Sequence, residues 1–496
     1  MSRRALLPLL LSLCACDTLP ATAHRATDVP WWSTAPWATA APAPAGLPRA
    51  AAAAATRDRL ERLVAFDTRN PPGDELAAAQ WLAEELGRLP GVETHVLPSA
   101  PDRANLVARL RAPHATQRPV LILGHMDVVG VDEARWHSPP LLATERDGYL
   151  YGRGVIDDKG MLAAAVTALE ALAERREELS RDVILLATAG EEGGPEVGIV
   201  WVLENRRELL GDAEFALNEG GRVRLVAGRL HSVNVQTTEK LACNVVATAQ
   251  GPSGHGSVPV PDNALAALAR AAARVHEWRA PQRLNDVTRR FFAGLASRET
   301  DPALRANLEA LVGSDQEAAA LAGDALSRQP VFNAQLRTAA ALTILEGGFR
   351  SNVIPSGGRA VFNVRALPDE DLDAIVAQMQ AAGGEPAVTF ALEDRPEPPP
   401  PSSSSDTALF AALEAAALAM VPGVLVTPFM STGASDGAAL RRAGIPTYGI
   451  LPFPMELPDE LRMHGDDERV PLPALGWGTE YLYRTLASVA GENGAR

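Results

Sequence analysis

The sequence predicts an α/β fold: a mostly parallel sheet covered by helices, with a smaller ferredoxin-like α+β unit inserted into it. Three observations predict this. Residues 120–123 (VLIL) and 183–189 (VILLATA) are apolar runs without alternation, which read as strands buried on both faces. Strand-like and helix-like segments alternate around them, as in a parallel sheet. From Leu241 to Leu392 the order becomes strand, helix, strand, strand, helix, strand, after which the first pattern returns.

The elements follow in order. Residues 57–66 and 75–89 have helical spacing and are separated by the breaker Asn70-Pro71-Pro72-Gly73. Residues 105–110 alternate as a strand, and 120–123 form the central one. A helix is expected over 160–176, a buried strand over 183–189, a helix over 197–209 and a short strand over 215–217. The inserted unit should comprise strand 241–249, helix 263–278, strands 339–345 and 360–364, helix 369–381 and strand 387–392. Residues 281–335 interrupt it as a charged, mostly helical insertion. PPPPSSSS at 398–405 reads as the exit hinge. Helix 407–421, strand 448–451 and helix 477–490 then complete the first unit. The expected division is a larger domain of 56–238 and 398–496, with 239–397 inserted.

Composition narrows the partners. With 496 residues the chain is long enough for two or three domains, and a net charge of −15 argues against nucleic acid or an anionic membrane surface. Arg3 and Arg4 precede a short apolar run, which reads as an export signal over 1–16. Leu13-Cys14-Ala15-Cys16 resembles a bacterial lipoprotein cleavage box, with Cys16 as the lipidated residue of an envelope protein; plain secretion is the alternative. Residues 17–55, rich in Ala and Pro, read as a linker. Only Cys243 then remains, so an exported fold must stand on its core without an internal disulfide.

Polar clusters follow the buried strands, where open α/β sheets place their ligands. His125-Met126-Asp127 ends the central strand. With His and Asp two apart, the Asp carboxylate is expected to accept from one imidazole nitrogen while the other binds a metal. Gly152-Arg153-Gly154-Val155-Ile156-Asp157-Asp158-Lys159-Gly160 opens the next helix. Glu191-Glu192 follows the second buried strand, and adjacent acids between glycines repel unless a cation lies beside them. Asn218-Glu219-Gly220-Gly221 is a third strand end with an acid, and Met463-His464-Gly465 adds a late histidine. Two His and three or four carboxylates at successive strand ends suit a pair of divalent metals with mixed N/O ligands.

These motifs, with Gly254-His255-Gly256-Ser257 and Asn352-Val353-Ile354-Pro355, stand in the order of the di-zinc aminoacylase/carboxypeptidase family and together resemble it. That family includes glutamate carboxypeptidase, acetylornithine deacetylase, aminoacylases and carnosinase. The DDKG form and segment 333–355 are most similar to its carboxypeptidase S branch, which contains N-fatty-acyl amino acid hydrolases. The resemblance implies a zinc hydrolase of amide or peptide bonds that releases a free amino acid, two Zn2+ per chain with Co2+ or Mn2+ as substitutes, and a lid that pairs two chains. A second reading is an inactive binding protein on this fold; another is a deacetylase or desuccinylase of a metabolic intermediate.

Residue by residue, the resemblance implies that His125, Asp157, Glu192, Glu219 and His464 hold metal, with Asp157 bridging. It makes Asp127 the acid that orients His125 and Glu191 the general base. It brings His255 to the oxyanion of a partner subunit's site. Asn263, Asn352 and Arg365 match lid positions that hold a substrate carboxylate, and Gly433 belongs to a glycine-rich loop lining the site. Gly190 and Asn218 depart from the family pattern, which often has acids there.

Overall fold

The computed structural model describes Trp37 and residues 47–491. The export segment with Cys16, and most of the expected linker, lie outside these residues. The linker is shorter than its composition suggests. Helix α1 (Arg49–Val64) starts directly after Pro48, because an alanine run is a strong helix former. It buries Ala52, Leu60, Leu63 and Val64. Trp37 is also buried, and its indole Nε1 donates to the Gly228 carbonyl at 3.2 Å.

The larger unit continues with α2 (Leu76–Gly87), β1 (Val92–Ala100), β2 (Arg103–Leu110), β3 (Val120–His125), α3 (Lys159–Ala173), β4 (Val183–Thr188), α4 (Ile199–Asn205), β5 (Phe215–Val226) and β6 (Arg229–Glu239). The inserted stretch holds β7 (Leu241–Gln250), α5 (Ala264–Glu277), four further helices α6 (Asp286–Arg298), α7 (Pro302–Val312), α8 (Gln316–Leu326) and α9 (Pro330–Leu336), then β8 (Ala339–Gly347), β9 (Gly357–Ala366), α10 (Leu372–Gly383) and β10 (Val388–Leu392). The chain returns through α11 (Ala408–Met420), β11 (Leu425–Ser431), α12 (Gly437–Arg442), β12 (Thr447–Met455) and α13 (Leu472–Ala490).

Eight strands form one mixed sheet in the order β11-β6-β12-β5-β3-β4-β2-β1. Its centre, β12-β5-β3-β4, is parallel, whereas β2 and β1 add antiparallel at one edge. The apolar run in β3 is explained by its two covered faces. Val120 and Ile122 enter the core shared with α1, α3, α11 and α13, while Leu121 and Leu123 enter the opposite core with α4. Each such side chain contributes about 1.5–3 kcal/mol of burial free energy. The strands that patterning misses are β1, β6 and β11. β6 ends in Gln236, Thr237, Thr238 and Glu239, which are buried although polar; Glu239 accepts from Ser435 and pairs with Arg441, and the Thr237 carbonyl accepts from the Ser403 N–H.

The second sheet, β8-β9-β7-β10, is antiparallel and carries α5 and α10 over a separate core. This is the ferredoxin-like order expected. The helical insertion α6–α9 does not join that core. It packs on the β11 edge of the large sheet, where Phe291 meets Phe429 at 5.4 Å between ring centroids and the buried Gln335 amide donates to the Met430 carbonyl at 2.8 Å. A sheet edge with open backbone groups is covered in this way.

Candidate metal centre and cleft

The carboxyl ends of β3 and β4 and the bend within β5 bring the polar clusters together; β5 runs on to Val226 rather than ending at 217 as expected, so Glu219 sits inside that strand. His125 closes β3, and its Nε2 lies 3.0 Å from Asp157 Oδ1. Asp157 enters from the turn before α3, and its peptide bond to Asp158 is cis. Glu192 follows β4, and one ligand atom each from His125, Asp157 and Glu192 falls within 4.8 Å of the others. His464, with φ of 59°, presents Nε2 at 3.0 Å from Glu192 Oε1 and 3.2 Å from Asp157 Oδ2. Glu219, at the bend of β5, lines the same cleft. The glycines after it are required: a Cβ on Gly221 would lie 2.2 Å from the Gly449 carbonyl oxygen and 2.4 Å from that of Asn234.

Asp127 orients this cluster differently from the expectation. His125 Nδ1 bonds to the Asp127 backbone carbonyl at 2.9 Å, while the carboxylate is 3.6 Å away. That carboxylate is already occupied. It accepts the backbone N–H groups of Glu191 at 3.1 Å and Glu192 at 3.0 Å, and the Asn70 amide at 2.9 Å. Asp127 therefore fixes the Glu191-Glu192 turn as well as the imidazole.

Burial sets the electrostatics. It pushes Glu191 well above the usual carboxylate range, although His125 opposes it, and raises Glu219 to about 8 with Asp157 adding repulsion. Burial works the same way on Asp157, but hydrogen bonds from His125 and His464 outweigh it and hold that carboxyl low. Hydrogen bonding to Asp157 and Glu192 raises His464 to about 10. Five carboxyl groups, Asp158, Glu219 and Asp436 buried and Asp157 and Glu191 partly so, thus crowd around His125. This is a donor set that divalent cations would neutralise. It fits the expected metal pair.

The cleft beside these groups has a volume of about 570 Å³ and includes Arg365, Gly433, Arg222 and Phe429. Arg222 and Arg224 share Glu460, whereas Arg365 donates Nε to Asn363 at 3.0 Å and has no carboxylate in ion-pair range among the described residues. The other lid residues do not line this cleft. Asn263 is the N-cap of α5, its oxygen accepting from Leu265 and Ala266. His255 and Asn352 are exposed beside a two-residue ladder that pairs His255 with Val353. The Ser257 N–H donates to His255 Nδ1, which leaves the proton on Nε2.

Motif reading missed several residues that hold the site. Asn70 lies in a stretch read only as a breaker. Asp436, in the glycine-rich loop, accepts from Thr188 Oγ1 at 2.7 Å, and burial raises it to about 7. Glu239 accepts from Ser435 and pairs with Arg441, anchoring the same loop. Glu468 and Arg153 join two loops that carry site residues. None of these stands in a pattern that announces its partner.

Comparison with known proteins bears on the family and the fold. The family model described as Peptidase family M20/M25/M40 matches residues 121–488. The human N-fatty-acyl-amino acid synthase/hydrolase PM20D1 is 27% identical over 377 residues, 74% of this chain and 74% of that protein. The crystal structure of human carnosine dipeptidase 1 matches with a TM-score of 0.64 at 15% identity, covering 90% of this chain and 98% of that one. Bacillus subtilis YXEP, a dinuclear metal-binding peptidase, matches with a TM-score of 0.54 at 15% identity, covering 89% of this chain and 99% of that one.

Proposed function

The chain belongs to peptidase family M20/M25/M40, whose model spans residues 121–488, and on that premise we propose that two zinc ions in the cleft serve its hydrolysis of an amide or peptide bond to a C-terminal amino acid. One observation carries the reading: His125, Asp157, Glu192, Glu219 and His464 converge beside Glu191, in the cleft that Arg365 also lines. His125 and Glu219 would hold one ion, Glu192 and His464 the other, with Asp157 between them. Divalent ions held there supply Lewis acidity toward the scissile carbonyl and toward water.

The chain's own groups do the rest. Glu191 is left without a ligand role, and burial makes it a strong proton acceptor. It takes a proton from the attacking water at its carboxylate and delivers it to the leaving nitrogen. Asp127 holds the Glu191 backbone so that this carboxylate faces the cleft. Arg365 offers a planar fork to the substrate's carboxylate. The acyl side is either a peptide or an N-acyl group, since both substrates end in the same carboxylate.

Pairing of two chains through the smaller sheet belongs to this reading. β8 is an edge strand that exposes Ile344 and Leu345, with Phe349 exposed just after it and Val258 exposed in the His255 turn. A second copy would cover them and would bring its His255 Nε2–H to the developing oxyanion. Export with a lipid on Cys16, placing the protein in a bacterial envelope, is supported by the Leu13-Cys14-Ala15-Cys16 sequence. The functional test is a panel of dipeptides and N-acyl amino acids offered to zinc-loaded protein. Release of free amino acid from at least one class supports the reading; release from none overturns it.

A further inference from the structure

Resting on that reading, we infer that the last helix of the insertion selects the side chain of the released amino acid, with Val331 and Ala334 as the specificity-determining residues. The topology carries the argument. Val331, Ala334 and Gln335 line the cleft, although α6–α9 interrupt the inserted unit far from the motif residues in sequence. α9 ends at Leu336, and Ala339, at the start of β8, pairs directly with Arg365 on β9. The α9 wall and the Arg365 guanidinium are therefore neighbouring parts of one surface.

In an amino acid, the side chain branches one bond from the carboxylate carbon, while the acyl carbon lies beyond the nitrogen. A carboxylate on Arg365 therefore sets the side chain against the wall next to Arg365. The wall is also firm. Gln335 is buried and tied to the Met430 carbonyl of β11, and Phe429 of the same strand packs on Phe291 of α6. Val331 and Ala334 are small, apolar and only partly buried, so they leave room for an uncharged side chain and set how large it can be.

The test compares wild type with Ala334→Trp on two substrate pairs, N-acetyl-phenylalanine against N-acetyl-alanine, and N-octanoyl-alanine against N-acetyl-alanine. The phenylalanine-to-alanine ratio of kcat/KM should fall at least about tenfold, with the octanoyl-to-acetyl ratio moving less than about twofold. A shift in the acyl ratio alone, or in neither ratio, overturns the assignment. Val331→Ala enlarges the same wall and should move the side-chain ratio the other way, which keeps the test open if the tryptophan variant does not fold. Calorimetric binding of free phenylalanine and alanine reads the wall without catalysis. If wild type hydrolyses none of these substrates, the hydrolase reading fails for N-acyl amino acids. Selective loss of phenylalanine binding in Ala334→Trp would then still support the wall assignment, and equal binding would overturn it.

Discussion

Arg153 and Glu468 form a fully buried ion pair, Nη1 to Oε2 at 2.6 Å, that ties the Asp157 turn to the His464 loop. Glu468 Oε1 accepts the backbone N–H groups of Ile156 at 2.7 Å and Asp157 at 3.2 Å, while Arg153 Nη2 donates to the Gly465 carbonyl at 2.9 Å. One carboxylate thus sets the spacing of two candidate ligands, Asp157 and His464, from distant parts of the chain. Breaking a buried pair from one side costs about 3–5 kcal/mol, and loosening groups that orient ligands costs about 10–100-fold in metal affinity. Glu468→Gln should lower both the melting temperature and zinc affinity, the latter read by competition with a chelator. Unchanged zinc affinity in a destabilised variant would limit the pair to a structural role.

The metal content follows from the ligand set. On the proposed assignment His125, Asp157, Glu192, Glu219 and His464 would make up two sites, so purified protein should carry about two divalent ions per chain. Chelation should abolish activity, and zinc, cobalt or manganese should restore it. Metal analysis finding none, with activity intact in chelator, would refute the assignment.

The neighbours Glu191 and Glu192 are expected to behave differently. Asp127 holds both backbone N–H groups, yet only Glu192 reaches His464. Glu191→Ala should keep metal and lose about 100-fold or more in kcat, the scale of general base catalysis. Glu192→Ala should lose metal. Equal metal content and equal turnover in the two variants would contradict these roles.

The position of His255 makes the two-chain arrangement testable. It is exposed and does not line the cleft of its own chain. His255→Ala and Glu191→Ala should each be nearly inactive alone. After subunit exchange at equal amounts, about half the dimers are mixed and each mixed dimer regains one site, giving about a quarter of wild-type activity. The insertion leaves the β8 edge open to a second chain, because it packs on β11 instead. No recovery after verified exchange would remove the shared site.

The export reading predicts that wild-type protein sediments with membranes and that Cys16→Ser releases it or blocks its processing, since two acyl chains suffice for stable anchoring. Fractionation showing wild type wholly soluble outside the cytoplasm would leave simple secretion.

The sequence by itself determined the α/β class, the inserted ferredoxin-like unit and the candidate ligands, because these are written in local pattern. Continuous apolar runs mark strands covered on both faces, and residues 120–125 show this in full. His125, Asp157, Glu191, Glu192 and Glu219 each follow such a run or stand at a helix start, which together brought them forward as candidates, and the family resemblance then supplied their expected roles. Only the tertiary structure decided what depends on distant partners. Glu468 meets Arg153 across 315 residues, Asn70 meets Asp127 across 57, and Thr188 meets Asp436 across 248. The buried polar end of β6 and the docking of α6–α9 on β11 are of the same kind. A hydrophobic period records which face of an element is covered, but not which element covers it, and a buried hydrogen bond leaves no period at all. For that reason the metal-ligand candidates are legible in the sequence, whereas the carboxylates that hold them in place and the α9 wall beside Arg365 emerge only when the chain is folded.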